Sequence, residues 1–315
     1  MTKDMSKTFI FPGQGSQKIS MGKELADNFK TAKNVFDEVD DALNQKLSDI
    51  IWGDDPLPLN LTENTQPALM ATSIAVYNVL TIDGGYNIGD IKYMAGHSLG
   101  EYSALCAAGV FNISDTAKLL KTRGQAMQSA CPVGKGGMVA IIGLDIPQIE
   151  QLCIKASEYG ACEVANDNCP GQVVISGDAK AMQQAVDIAK SMGAKRALPL
   201  PVSAPFHSSL IKPAADKMAE ALSNTHADTP KKPIIANITA NEVTDSETIK
   251  DLLVQQVTGR VRWTESVNYM LDNNCSQFIE LGAGKVLSGL VKRINREATT
   301  NALETPTEIE EFLRG

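Results

Sequence analysis

Histidine is scarce in this chain, with three among 315 residues, so any chemistry that needs an imidazole has few sources. Long apolar runs are missing too. No stretch reaches the ~18 apolar residues of a membrane span, and MTKDMSKTFIFPGQG has only a three-residue apolar run before Pro12, short of a leader core. A cytoplasmic protein with no membrane partner is expected. The six cysteines, at 106, 131, 153, 162, 169 and 275, form no CxxC and no paired metal spacing, so reduced, mostly buried thiols are expected rather than a disulfide framework or a metal site. Positive charge is in deficit. A formal net charge of -8 excludes a general nucleic-acid binder, because phosphate backbones require a basic surface. The glycine-rich turn FPGQGSQ matches neither GxxxxGK[ST] nor GxGxxG, which excludes a phosphate loop there. Internal repeats and low-complexity segments are absent.

What is present is ordinary globular material, 43% hydrophobic and 21% charged, enough for one large or two modest domains. TFIF reads as a strand entering the turn at Gly13 and Gly15. Helical patterns follow at 21–46 and again from Thr65, with Thr65 as cap and Pro67 in the first turn. IKYMA then reads as a strand directly before GHSLG, and EYSALCAAG as a small-residue helix directly after it. Residues 137–202 read as strand, helix, strand, strand, helix, strand, with Pro170 and Gly171 between the two middle strands. That is the order of a ferredoxin-like domain. The expected fold class is α/β: a large α/β-hydrolase-like domain with a mainly parallel sheet, built from 1–132 and 204–315, interrupted by a small ferredoxin-like α+β domain at 133–203. The polar tail from about 298 is expected to be peripheral.

Strand, sharp turn and helix around GxSxG are what a nucleophile elbow requires, and they single out Ser98. A serine hydroxyl is a poor nucleophile until a base takes its proton. Of the three histidines, His97 adjoins the serine and points elsewhere from the turn, and His226 lies in the polar stretch NTHADTPKK. His207, in VSAPFHSSL, remains as the candidate base. The N–H of Leu99, at the start of the following helix, can donate to an oxyanion, and a second donor can come from the FPGQGSQ turn. Arg123 shares a helix face with Leu119, Leu120 and Met127, on a helix that Ser114 can cap. Its stem packs while its head either reaches water or forms a fork for a substrate carboxylate.

FIFPGQGSQ, TQPAL, GHSLGEYSAL, the arginine of KTRGQAMQ, NDNCPGQVVISG, SAPFHSSL and ELGAGKVLSGL, spread along nearly the whole chain, resemble malonyl-CoA:acyl carrier protein transacylase. The resemblance implies a Ser98 nucleophile acylated by malonyl-CoA, His207 as base and Arg123 on the malonyl carboxylate. It further implies oxyanion donors at the main chain of Gln14 and Leu99, and a main-chain carbonyl orienting the histidine at Gln256, with Gln255 next to it in LLVQQVTGRVRW. Such a dyad accounts for the lack of an obvious acidic partner between 98 and 207. His97, Asn166, Asn168 and Phe206 fall at the substrate cleft by the same matching, although the two asparagines also suit a turn beside Pro170. No metal or cofactor is implied. The implied partners are malonyl-CoA and an acidic acyl carrier protein docking on a local basic rim, for which Arg260, Arg262, Lys285, Lys292, Arg293 and Arg296, with Lys195 and Arg196, are the candidates. A monomer is expected. The rivals are a serine esterase or thioesterase, which has no use for a buried arginine, and a catalytically silent binding protein of the same fold.

Overall fold

A computed structural model describes residues 6–202 and 204–315. Met1–Met5, where the leader reading begins, and Ser203, where the expected domain boundary falls, lie outside that description. The run read as TFIF becomes the centre of a sheet. Strand β1 (Ser6–Phe11) buries Phe9, Ile10 and Phe11 completely, with Phe9 and Phe11 in one hydrophobic cluster and Ile10 in another. Burial on both faces marks an interior parallel strand. Helices α1 (Lys23–Asn28), α2 (Lys30–Leu43), α3 (Leu47–Trp52), α4 (Pro56–Asn60) and α5 (Thr62–Asn78) lead back to β2 (Ile91–Gly96), which pairs parallel with β1. Helices α6 (Gly100–Ala107) and α7 (Ile113–Ser129) follow.

The chain then leaves this sheet for a second one. Strand β3 (Gly136–Ile142), helix α8 (Ile146–Ala156), β4 (Cys162–Cys169), β5 (Gln172–Asp178), helix α9 (Ala179–Ser191) and β6 (Arg196–Pro199) form a four-stranded antiparallel sheet in the order β4-β5-β3-β6. Its helices share a core of their own with the sheet, including Ile149, Leu152, Ala181 and Ala185 against Val139, Ile141 and Ile175. The chain returns through α10 (Lys212–Ser223), β7 (Ile234–Ile235), β8 (Glu242–Val243), α11 (Ser246–Thr258), α12 (Trp263–Asp272), β9 (Cys275–Leu281), α13 (Val286–Ile294), β10 (Thr299–Leu303) and α14 (Pro306–Arg314). These complete a six-stranded sheet in the order β10-β9-β1-β2-β7-β8, parallel throughout except for the β7–β8 pair. Among the described residues no helix is long and apolar enough to cross a membrane.

Four local expectations are corrected. Helix α5 begins at Thr62, not Thr65, because the Thr65 hydroxyl donates back to the Leu59 and Leu61 carbonyls and Pro67 sits inside the helix. Asn112 rather than Ser114 caps α7, accepting from the Asp115 N–H, while the Ser114 hydroxyl donates to Glu38. PIIANI, an apolar run that by sequence reads as a strand, contributes only two residues to the sheet. The tail is not peripheral: TTNAL pairs with β9 as an edge strand, and α14 buries Ile309 behind a Thr305–Glu308 capping box. Its polarity reflects the half-open environment of a sheet edge.

Candidate active site

The elbow is held by close backbone approach. Strand β2 ends at Gly96, α6 starts at Gly100, and between them Ser98 has φ 53°, a left-handed conformation uncommon for residues other than glycine. A Cβ on Gly96 would overlap the main chain of Gly100, and one on Gly100 would overlap the Phe11 carbonyl. Gly13 lies equally close to the turn, since a Cβ there would come 2.6 Å from the His97 carbonyl oxygen. The glycine pattern read from the sequence thus packs FPGQGSQ against the serine turn.

Ser98 Oγ lies 2.9 Å from His207 Nε2. His207 Nδ1 lies 2.9 Å from the Gln256 carbonyl and 3.1 Å from the Gly259 carbonyl. Two carbonyls around Nδ1 require it to carry the proton, so Nε2 is left to accept from the serine. The carbonyl is available because α11 stops: Gly259 is extended (φ -98°, ψ 162°), so Gln256 loses the next amide as partner. Gln255 is occupied, its carbonyl accepting from the Gly259 N–H. Burial, and secondarily the charge of Arg123, lower the His207 pKa to about 3, so the imidazole is neutral and able to act as a base near pH 7.

Arg123 resolves its two readings against water. The whole side chain is 1% exposed, beside buried Leu119, Leu120 and Met127. Nη2 donates to Ser98 Oγ at 3.1 Å and to Gln256 Oε1 at 2.9 Å, and Nη1 donates to Gln66 Oε1 at 2.9 Å. The guanidinium carbon lies 5.6 Å from the centre of the Tyr102 ring. Nε has no partner, and among the described residues no carboxylate forms an ion pair with Arg123. A buried cation bonded only by neutral acceptors is electrostatically prepared to receive an anion.

Two residues that sequence reasoning passed over complete the cluster. Asn237 Oδ1 accepts from the Ser98 N–H at 2.8 Å while its Nδ2 donates to the Gly96 carbonyl at 2.7 Å, bracing both sides of the turn. Glu101, 2% exposed, accepts through Oε2 from Gln256 Nε2 at 2.7 Å and from the Asn237 N–H at 3.1 Å. Burial pushes its pKa up to about 7. A glutamate in the otherwise small and apolar EYSALCAAG, and an asparagine in the apolar run PIIANI, were the available signals.

The remaining candidates are more peripheral. His97 turns away from Ser98, its Nε2 2.8 Å from Asn168 Oδ1 and its ring edge-on to Trp263. Asn166 is buried beside Val261, where β4 meets the loop after α11, and its side chain is not among the hydrogen-bonding groups of the Ser98 cluster. Phe206 is buried next to His207. The Gln14 side chain reaches Thr62 at 3.5 Å, and the main-chain N–H groups of Gln14 and Leu99 have no acceptor among the described residues. Two members of the expected basic rim are otherwise engaged: Arg260 pairs with Asp167 and Glu150, and Arg262 with Glu265. Among the described residues there is no metal-ligating cluster.

A serine on a strained strand-to-helix turn, 2.9 Å from an imidazole on a mainly parallel α/β sheet, has the geometry of a nucleophile elbow, the arrangement of enzymes that act on acyl groups. Residues 8–306 match the acyl transferase domain family. The malonyl CoA-acyl carrier protein transacylase of Bacillus subtilis is 47% identical over 308 residues, covering 97% of this chain and 96% of its own. That of Escherichia coli K12 is 44% identical, covering 95% and 96%. An acyl-carrier-protein-S-malonyltransferase from Bartonella henselae superposes with a TM-score of 0.96 at 53% identity, over 98% of this chain and 99% of its own. A malonyl-transacylase solved in complex with a type II PKS acyl-carrier protein superposes with a TM-score of 0.94 at 40% identity, over 98% and 99%. The chain belongs to the malonyl-CoA:acyl carrier protein transacylase family of acyltransferases.

Proposed function

We propose that this chain moves a malonyl group from malonyl-CoA to the phosphopantetheine thiol of an acyl carrier protein through an ester on Ser98, supplying malonyl units for fatty acid synthesis. Ser98 Oγ attacks the thioester carbonyl as His207 Nε2 takes its proton, and the Leu99 and Gln14 N–H groups hold the developing oxyanion. Collapse of that intermediate expels coenzyme A, which takes the proton from His207. The carrier thiol then attacks the Ser98 ester, its proton passing to His207 and on to the serine as the new thioester forms. The imidazolium formed in each half is stabilised by the Gln256 and Gly259 carbonyls that face Nδ1, at the negative end of α11. Arg123 holds the malonyl carboxylate, with His97, Asn168, Asn166 and Phe206 shaping the rest of the cleft.

The observation that carries this reading is the buried guanidinium, 3.1 Å from the serine hydroxyl and without a carboxylate ion-pair partner among the described residues. A simple esterase has no need of it. The reading extends to architecture: the α/β-hydrolase-like sheet of 1–132 and 204–315 supplies serine, arginine and histidine, and the ferredoxin-like insertion at 133–203 supplies Asn168. This is supported by the strand orders and by the Asn168–His97 contact. A cytoplasmic monomer docking its carrier through exposed Lys285, Lys292, Arg293, Arg296, Lys195 and Arg196 fits the same reading. Incubation with malonyl-CoA tests it by mass spectrometry of the Ser98 peptide. Stable malonylation, discharged on adding holo-carrier protein, is the expected result. Continuous release of free malonate without acceptor would instead make the chain a hydrolase.

A further inference from the structure

The amide of Gln256 has its orientation dictated by what surrounds it. Its Nε2 faces three acceptors, Glu101 Oε2 at 2.7 Å, the Ser98 carbonyl at 3.0 Å and Asn237 Oδ1 at 3.4 Å, and its Oε1 faces a donor, Arg123 Nη2 at 2.9 Å. Turning the amide over would set its NH2 against the guanidinium and its oxygen against a carboxylate and a carbonyl. Every contact would then be like against like. The same residue lends its main-chain carbonyl to His207, so one side chain links the arginine, the serine turn and the base. What grips that side chain from the protein interior is Glu101, which rises from the first turn of α6 three residues after the nucleophile. Its second bond, from the Asn237 N–H at 3.1 Å, reaches the same Oε2 atom, and Asn237 in turn braces Ser98 and Gly96.

We propose that Glu101 is a positioning residue for malonyl selection: its Oε2 fixes the Gln256 amide, and Gln256 Oε1 fixes the edge of the Arg123 guanidinium that receives the substrate carboxylate. This rests on the malonyl reading of Arg123 given above. The role belongs to the acceptor oxygen and not to the negative charge. Both donors converge on a single atom, so a carboxamide oxygen in the same place satisfies both. A pKa raised to about 7 means that the neutral acid is already well populated at neutral pH. Residence beside the nucleophile also explains why a buried carboxyl is tolerated without a cationic partner in direct contact: its hydrogen bonds come from an amide side chain and a main-chain N–H, both neutral.

Reach and charge are separated by two substitutions. Glu101→Gln keeps the reach and removes the charge, whereas Glu101→Asp keeps the charge and, one methylene shorter, withdraws the oxygen from Gln256. The readout is the ratio of kcat/KM for malonyl-CoA over acetyl-CoA in forming the Ser98 ester, with wild type and Arg123→Ala alongside. Leaving the buried Gln256 donor without its Glu101 acceptor corresponds to an effect of about tenfold. The expected result is a ratio lowered about tenfold in Glu101→Asp, mainly through KM for malonyl-CoA, with Glu101→Gln within about twofold of wild type. An unchanged ratio in Glu101→Asp, including an equal fall for both donors, would overturn the proposal, as would a Glu101→Gln variant that falls with it. Should Glu101→Asp not fold, Glu101→Met, which fills the space without an acceptor, takes its place. Wild type that fails to malonylate, or Arg123→Ala that loses both donors equally, would count against the malonyl reading itself, so the two failures are distinguishable.

Discussion

Arg123 is the residue on which the proposed selectivity turns, because among the described residues no carboxylate forms an ion pair with it. Its neutral partners hold the guanidinium in place at a cost in solvation that an incoming carboxylate recovers. Charge-assisted hydrogen bonds contribute about 1.5–3 kcal/mol each. Arg123→Ala should therefore lower kcat/KM for malonyl-CoA by about a hundredfold while acetyl transfer changes far less; equal losses would assign the arginine a structural role. The same charge acts on His207, whose basicity it depresses after burial has done so. A malonyl carboxylate seated on Arg123 offsets that repulsion and raises the imidazole pKa, whereas an acetyl group does not. Base catalysis needs the neutral imidazole, so activity is lost as pH falls through that pKa. The acid limb of kcat for Ser98 malonylation should thus lie at higher pH than that for acetylation, measured by single-turnover kinetics. Coincident limbs would show that the substrate carboxylate does not reach the base electrostatically.

At the scale of elements, the site is made where secondary structure is interrupted. Strand β2 yields to α6 within three residues, and α11 ends so that an unpaired carbonyl meets an imidazole. The first interruption was legible in GHSLG because its glycines are required sterically. A methyl group on Gly100 would strike the Phe11 carbonyl, which belongs to a central strand and cannot retreat. Gly100→Ala should lower stability by at least about 2 kcal/mol in urea unfolding and abolish acylation, since overpacking at rigid backbone is not relieved by rotamer change. A fully active, equally stable variant would show the elbow to be softer than its packing. The end of α11 was harder to read. The resemblance pointed to Gln256, but only the extended Gly259 explains why its carbonyl is free, and Gly259 itself supplies a second acceptor. Short strands bounded by glycine and proline made the β3–β6 unit readable, whereas β10 was missed because a polar edge strand has no apolar alternation to announce it.

Across the whole molecule, the two sheets meet at the site, and the contacts between them could not be read from either alone. Asn168 of β4 reaches His97 of the elbow, and Arg260 ties the loop after α11 to Asp167. That tie removes Arg260 from any docking surface, yet the remaining rim gains coherence from strand register. Arg196 lies opposite Ile142, Ile142 opposite Gln172, and Gln172 accepts from Arg293 at 2.6 Å on α13. Basic residues about a hundred positions apart in sequence are therefore gathered at one end of the inserted sheet, on a protein whose formal net charge is -8. Such a local patch would steer an acidic carrier while the rest of the surface repels it, and steering is read in association rate and salt dependence rather than in chemistry. Reversing Lys292 and Arg296 to glutamate should slow transfer from preformed malonyl-Ser98 enzyme to holo-carrier protein by about tenfold at low salt. The difference should shrink as ionic strength rises and the Debye length falls below about 8 Å. Acylation by saturating malonyl-CoA should be unchanged, because neither side chain is among the hydrogen-bond partners of the serine, arginine or histidine. An equal loss in both half-reactions would place the two residues on the coenzyme A path, and no loss in either would move the carrier's docking surface elsewhere.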